Sequence, residues 1–152
     1  MIEIGITVEV PIDEAFATLT DGWLYSSWVV GASHIRAVDP EWPAVGSRIH
    51  HSVGPWPLTM QDYTTVRAVE QPYSLELEAR LWPLGSAYIR LRLHEEGQDR
   101  TRIEMAEKAV KGPGVAMPDR LQALLLTPRN KESLQRLADL MNGRADKGSG
   151  MR

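Results

Sequence analysis

The sequence predicts an α+β fold: a curved, seven-stranded antiparallel sheet wrapped around a long C-terminal helix, with two short helices after the first strand. Three observations carry this. Residues 2–10 alternate strictly between apolar and polar, residues 34–109 read as strands separated by short turn-rich links, and residues 119–142 change to helical spacing.

In the first strand Ile2, Ile4, Ile6, Val8 and Val10 alternate with Glu3, Gly5, Thr7 and Glu9, so one face is dry and the other wet. Pro11 ends it. Asp13 and Glu14 then open a short helix at its positive end, with Phe16 and Leu19 turned inward. Asp21 and Gly22 break that helix, and residues 23–28 supply a further turn. Punctuation by Pro40, Pro43, Gly46, Gly54, Pro55, Pro57, Pro72, Pro83, Gly85 and Gly97 divides the next block into six strands. Their expected bounds are 34–39, 47–53, 58–70, 73–82, 86–95 and 100–109. Links of a few residues require antiparallel neighbours, because a parallel pair needs a crossover of a dozen or more. Asp119 is placed as an N-cap before Leu121, Leu124 and Leu125, and Leu134, Leu137, Leu140 and Met141 extend an apolar stripe to Gly143. Pro128 either kinks this helix or divides it at Thr127. Residues 1–142 thus form one domain, and 143–152 are expected to be a disordered tail with nothing to bury.

Composition narrows the function. The chain has 152 residues, 43% hydrophobic, a net charge of -3 and no cysteine, so disulfides, thiolate metal sites and cysteine nucleophiles are excluded. Residues 1–35 hold five acidic side chains and neither Lys nor Arg, which predicts no secretory or transit leader and a cytoplasmic protein. A membrane-spanning helix needs about 20 apolar residues, and no such run exists. A pI near 5.8 without a basic cluster argues against nucleic acid as a partner. G-x-S-x-G, G-x-G-x-x-G, P-loop and H-E-x-x-H patterns are all missing.

A sheet with one dry face must be covered, and the terminal helix and the small helical pair are the available covers. A strongly bent sheet gripping one helix leaves a hollow, the usual form of a small-molecule site. Strand parity puts three ionisable side chains on the dry face: His51 with Ile49 and Val53, Asp62 with Met60 and Val66, and Glu107 with Ile103 and Met105. Such a set is open to three readings. Each group has a structural partner, for instance Glu107 with Arg129; or the group recognises a ligand; or it moves protons, with Glu107, Asp62 and His51 as catalytic base, acid and orienting group in some order. Leu77 and Ile89 share the dry face, and Leu121 and Leu125 are placed over it on the helix. Met60 and Met105 add adaptable surface. Of the five Trp residues, Trp28 and Trp56 are the ones expected to touch a ligand. His50 and His51 point to opposite faces, so they form no metal site, and no cofactor is expected. His34 and His94 are expected at the surface.

The order of elements resembles the START-like, helix-grip superfamily (SRPBCC), which includes polyketide cyclases and dehydrases, lipid-transfer domains, and plant hormone and allergen proteins. The resemblance spans residues 1 to about 142. It rests on Val10 and Pro11 followed by Asp13, Glu14, Ala15 and Phe16, on residues 21–28, on Gly46 and Ser47 entering a strand, and on residues 101–107. Arg129, Asn130, Ser133, Leu134 and Leu137 are similar to the ending of many bacterial members. Membership implies a cavity for a small hydrophobic molecule (a lipid, an aromatic polyketide or an isoprenoid), or cyclase-like acid–base chemistry in the same place. It implies that Gly112, Pro113 and Gly114 belong to the cavity entrance. A monomer and a homodimer both agree with it, and an interaction role is the third reading.

Overall fold

The alternation in the first residues produces strand β1 (Ile2–Val8), and Pro11 leads into helix α1 (Ile12–Leu19). A 3₁₀ turn, Gly22–Leu24, capped by the Asp21 carboxylate on Trp23 N, joins α1 to the one-turn helix α2 (Tyr25–Trp28). Six strands follow: β2 (Ala32–Val38), β3 (Arg48–Val53), β4 (Met60–Glu70), β5 (Ser74–Leu81), β6 (Gly85–Gly97) and β7 (Arg100–Lys111). A 3₁₀ turn at Pro113–Ala116 precedes the long helix α3 (Asp119–Gly150). This computed structural model describes residues 2–30, 32–53, 60–81 and 85–150.

All pairings are antiparallel, in the order β1-β7-β6-β5-β4-β3-β2. Strands β2 to β7 are joined to their sequence neighbours, as short links demand. Only β1 comes from elsewhere in the chain, pairing Ile2 with Glu107 and Val8 with Thr101. Because β1 and β2 are opposite edges, α1 and α2 must carry the chain across the sheet. Thr101 Oγ1 donates to Val10 O at 2.8 Å and ties that crossing to β7.

One sheet face is buried: Ile49, Val66, Leu75, Leu77, Ile89, Leu91, Ile103 and Met105 are each at most 3% exposed. They pack with Val8, Phe16, Leu19 and Trp28, and with Leu134, Leu137, Ala138 and Met141 of α3. Burying a side chain of this size contributes about 1.5–3 kcal/mol, so this single layer of contacts is the main source of stability.

Two expectations about α3 need correction, and the choice left open at Pro128 is decided against a division. Asp119 is the first helical residue rather than a cap. Pro128 lies inside a continuous helix, so the missing N–H is tolerated without a division. The helix also passes Gly143 and continues to Gly150, since Gly costs only about 1 kcal/mol relative to Ala and each added residue gains a backbone bond.

A third correction concerns the stripe. Leu121, Leu124 and Leu125 are 42%, 70% and 56% exposed, so Leu121 and Leu125 do not cover the dry face of the sheet. Leu125 lies about two and a half turns before Leu134, which turns it to the opposite side of the helix. Gln122 is the buried residue of this first stretch, donating to Met117 O and accepting from Ala109 N.

Candidate functional site beneath helix α3

The polar side chains of the interior form two groups joined by Tyr25. On β3, His51 Nε2 lies 2.9 Å from Thr64 Oγ1 of β4, one diagonal step across the ladder in which His51 faces Asp62. Thr64 Oγ1 is also 3.2 Å from the Tyr25 hydroxyl. The Tyr25 ring stacks on His51 at 5.7 Å and meets Trp28 edge-on at 5.6 Å. All four side chains are buried.

Burial pushes the His51 imidazole below its ordinary value, against the opposing pull of the Asp62 charge, while Arg36 and His50 push it further down. The ring is therefore neutral near pH 7. Burial likewise pushes Tyr25 up, so its hydroxyl keeps its proton. A neutral ring leaves two consistent proton patterns along Tyr25, Thr64 and His51, one with Nδ1 as donor and one with Nδ1 as acceptor.

The second group centres on Glu107, which is 0% exposed on β7 between Ile2 of β1 and Ile89 of β6. Arg129 of α3 places Nη1 at 3.1 and 3.3 Å from the two carboxylate oxygens. Its Nε donates to Val30 O at 3.0 Å, and Ser133 Oγ accepts from Val30 N at 3.1 Å. Val30 lies beyond α2 and before β2, where its backbone groups need such partners. Arg129 and Ser133 thus fasten the α2–β2 link and β7 to one turn of α3. The charges of Arg129 and Glu107 act on the Tyr25 hydroxyl in opposite senses, the first lowering and the second raising its pKa.

Strand parity is correct for all three ionisable residues: His51, Asp62 and Glu107 are at most 5% exposed. Register irregularities fall between Ile35 and Ala37 and between Val66 and Ala68, away from these positions. The structure separates their surroundings, however. Asp62 Oδ1 accepts from Tyr63 N at 2.9 Å and lies 3.5 Å from Arg80 Nε, whose guanidinium, like that of Arg48, covers the Tyr63 ring. Asp62 also faces His51 across the β3–β4 ladder. Glu107 has the Arg129 partner anticipated for it.

Trp28 is 1% exposed, and Leu77, Ile89 and Met105 lie in the core around the site. Trp56 and the Met60 side chain lie outside the described residues, as does Trp82. Trp42 donates through Nε1 to Thr20 O at 2.9 Å, and Trp23 is 61% exposed. His94 is exposed and faces Glu104 at 3.4 Å; His34 is exposed as well. Among the described residues no group of three or more His, Asp or Glu is placed to hold a metal. No described helix is long and apolar enough to cross a membrane. A groove of about 530 Å³ beside the β4–β5 turn, edged by Glu70, Tyr73, Glu76, Arg92, Leu93 and His94, includes none of the residues of the two polar groups.

Sequence reasoning passed over Tyr25 and Thr64 as site residues, and took Asn130 and Ser133 only as part of a resemblance. One signal was present: Asn130 and Ser133 occupy inward positions of α3 beside Leu134 and Leu137, where apolar residues are the rule. Four buried polar atoms have no hydrogen-bond partner among the described residues: Trp28 Nε1, His51 Nδ1, and both Nδ2 and Oδ1 of Asn130. Native proteins leave few such groups, each costing about 1–3 kcal/mol.

The bent sheet, the crossing helices and the long gripping helix are the START-like helix-grip fold. Solved structures agree. Ara h 8.0201 is similar with a TM-score of 0.66 and 12% identity, covering 91% of this chain and 95% of its own. A Rhodobacter sphaeroides protein has a TM-score of 0.69 and 21% identity, with 93% and 91% covered. The di-domain ARO/CYC BexL of the BE-7585A biosynthetic pathway has a TM-score of 0.60 and 11% identity over 91% of this chain, which spans 50% of BexL. No protein-family model and no curated protein matches the sequence.

Proposed function

We propose that the protein binds a small hydrophobic molecule of the lipid, aromatic polyketide or isoprenoid type between the concave sheet face and α3, in the cytoplasm and without a cofactor. The observation that carries this reading is the set of buried polar atoms that have no partner among the described residues, beside a cluster of apolar side chains. A plain structural core replaces such groups by apolar ones, whereas a ligand site keeps a few to orient its occupant. Likeness to Ara h 8.0201 and BexL supports the same placement at the level of fold. Native mass spectrometry of the protein purified from its own host tests the reading: a bound small molecule is expected. An empty protein that also shows no change in Trp emission or melting temperature with fatty acids, sterols and flavonoids would refute it.

A second reading, acid–base catalysis of cyclase or dehydrase type, is favoured by one observation. His51 is neutral and buried, and its Nδ1 has no partner among the described residues, so in one of its two proton patterns it accepts a proton from a bound substrate. Glu107 is balanced by Arg129 and Asp62 is bound to Arg80, so His51 is the stronger candidate for the base. Under this reading His51→Phe abolishes turnover, while Glu107→Gln leaves the fold intact and tests whether that carboxylate takes part.

A further inference from the structure

We propose that Asn130, Trp28 and His51 form an uncharged recognition set that selects a neutral ligand carrying both hydrogen-bond donor and acceptor oxygens, such as a phenol or hydroxyketone, over a plain hydrocarbon or a carboxylate. The inference rests on the binding reading above and adds the chemistry of the occupant.

The three side chains are 1%, 1% and 2% exposed, and their unpartnered atoms differ in kind. Trp28 Nε1 only donates. Asn130 donates through Nδ2 and accepts through Oδ1, and His51 Nδ1 does either according to the proton pattern shared with Thr64 and Tyr25. A complementary occupant must therefore offer at least two acceptors and one donor, which a hydrocarbon chain does not. Trp28 and His51 flank the same Tyr25 ring. Asn130 lies on α3 beside Arg129 and one turn before Ser133, the two residues that hold Val30, two positions beyond Trp28. All three thus belong to the junction of α2, β3 and α3.

Charge decides against an anion. Of the arginines whose charge reaches this junction, Arg129 is already balanced by Glu107 at 3.1 Å, and Arg36 is exposed and turned to Asp62 O at 3.5 Å. A buried carboxylate added here would meet Glu107 without a counter-charge of its own. A neutral hydroxyl or carbonyl has no such penalty, and a site whose polar groups expect a hydroxyl discriminates strongly against the analogue lacking it.

Calorimetric titration with three probes of one skeleton tests this: biphenyl, 4,4′-dihydroxybiphenyl and biphenyl-4-carboxylate. The dihydroxy probe is expected to bind at least about tenfold more tightly than either of the others. Asn130→Leu, close in volume, is expected to bring the affinities for the dihydroxy probe and biphenyl within about threefold of one another. Trp28→Phe is expected to shift the preference in the same direction, and it carries the comparison if Asn130→Leu fails to fold. Equal binding of biphenyl and its diol, or a preference unchanged in the folded variants, would overturn the inference and leave the binding reading standing. Tightest binding of the carboxylate would overturn it as well. Failure of all three probes to bind would count against the binding reading itself and take this inference with it.

Discussion

The two halves of α3 carry similar numbers of leucines and meet opposite fates. Leu134, Leu137 and Met141 are at most 2% exposed against the sheet, while Leu121, Leu124 and Leu125 face solvent. Between them, at the turn holding Arg129, Asn130 and Ser133, the helix changes from an apolar seal to a polar junction. The contrast teaches that leucines along one helix form a single stripe only when their angular phase agrees. The second half provides cohesion, the middle turn provides chemistry, and the leucines of the first half contribute little to the core.

That division can be broken experimentally, beginning at the middle turn. Arg129→Met leaves Glu107 buried without its counter-charge and is expected to cost about 3–5 kcal/mol in urea denaturation. Adding Glu107→Leu is expected to restore most of it; a single-variant loss below about 1 kcal/mol would show that the pair is not needed. Next comes Leu137→Ala, at 0% exposure, with an expected loss of about 3 kcal/mol by the same measurement.

Thr64→Val keeps the shape of β4 but removes the hydroxyl shared by Tyr25 and His51, and about 1–2 kcal/mol of stability is expected to go with it. A related pH effect sharpens the point. Burial holds the folded His51 below its ordinary value of 6.5, so the unfolded chain takes up a proton that the folded one resists. The contribution is fully present above about pH 6.5 and is lost as pH falls toward the folded value. Melting temperatures between pH 7 and pH 5 are expected to fall more steeply for the wild type than for His51→Gln, and parallel slopes would contradict the assignment. The smallest effect belongs to the first half of α3: Leu124→Ser, at a 70% exposed position, is expected to change stability by less than about 0.5 kcal/mol. A loss as large as that of Leu137→Ala would erase the contrast between the halves.

Much of the fold was legible because its signals are local. Alternation assigned β1 and the burial of His51, Asp62 and Glu107, and turn residues set β2 to β7 to within a few positions. Parity alone, however, grouped His51, Asp62 and Glu107 as if one face meant one site. Asp62 does face His51 across the ladder, with Arg80 and Tyr63 N as its partners, whereas Glu107 binds Arg129, and Tyr25 touches His51 from a different element altogether. Tyr25 escaped notice because a one-turn helix has too few residues to display a period. The placement of Leu121 and Leu125 failed for a different reason: the stripe was followed by residue type and not by phase, although the sequence holds the information needed to see that Leu125 opposes Leu134.

What the sequence by itself determined is therefore the class of architecture and the inward or outward sense of each strand residue, because both follow from periods of two or of 3.6 along the chain. The tertiary structure alone decided which polar groups meet. β3 and β7 stand four strand spacings apart, roughly 19 Å in a flat sheet, and only the sheet's curvature with α2 and α3 inserted brings His51, Tyr25, Arg129 and Glu107 into one neighbourhood. Such meetings depend on distances through space that no local pattern encodes.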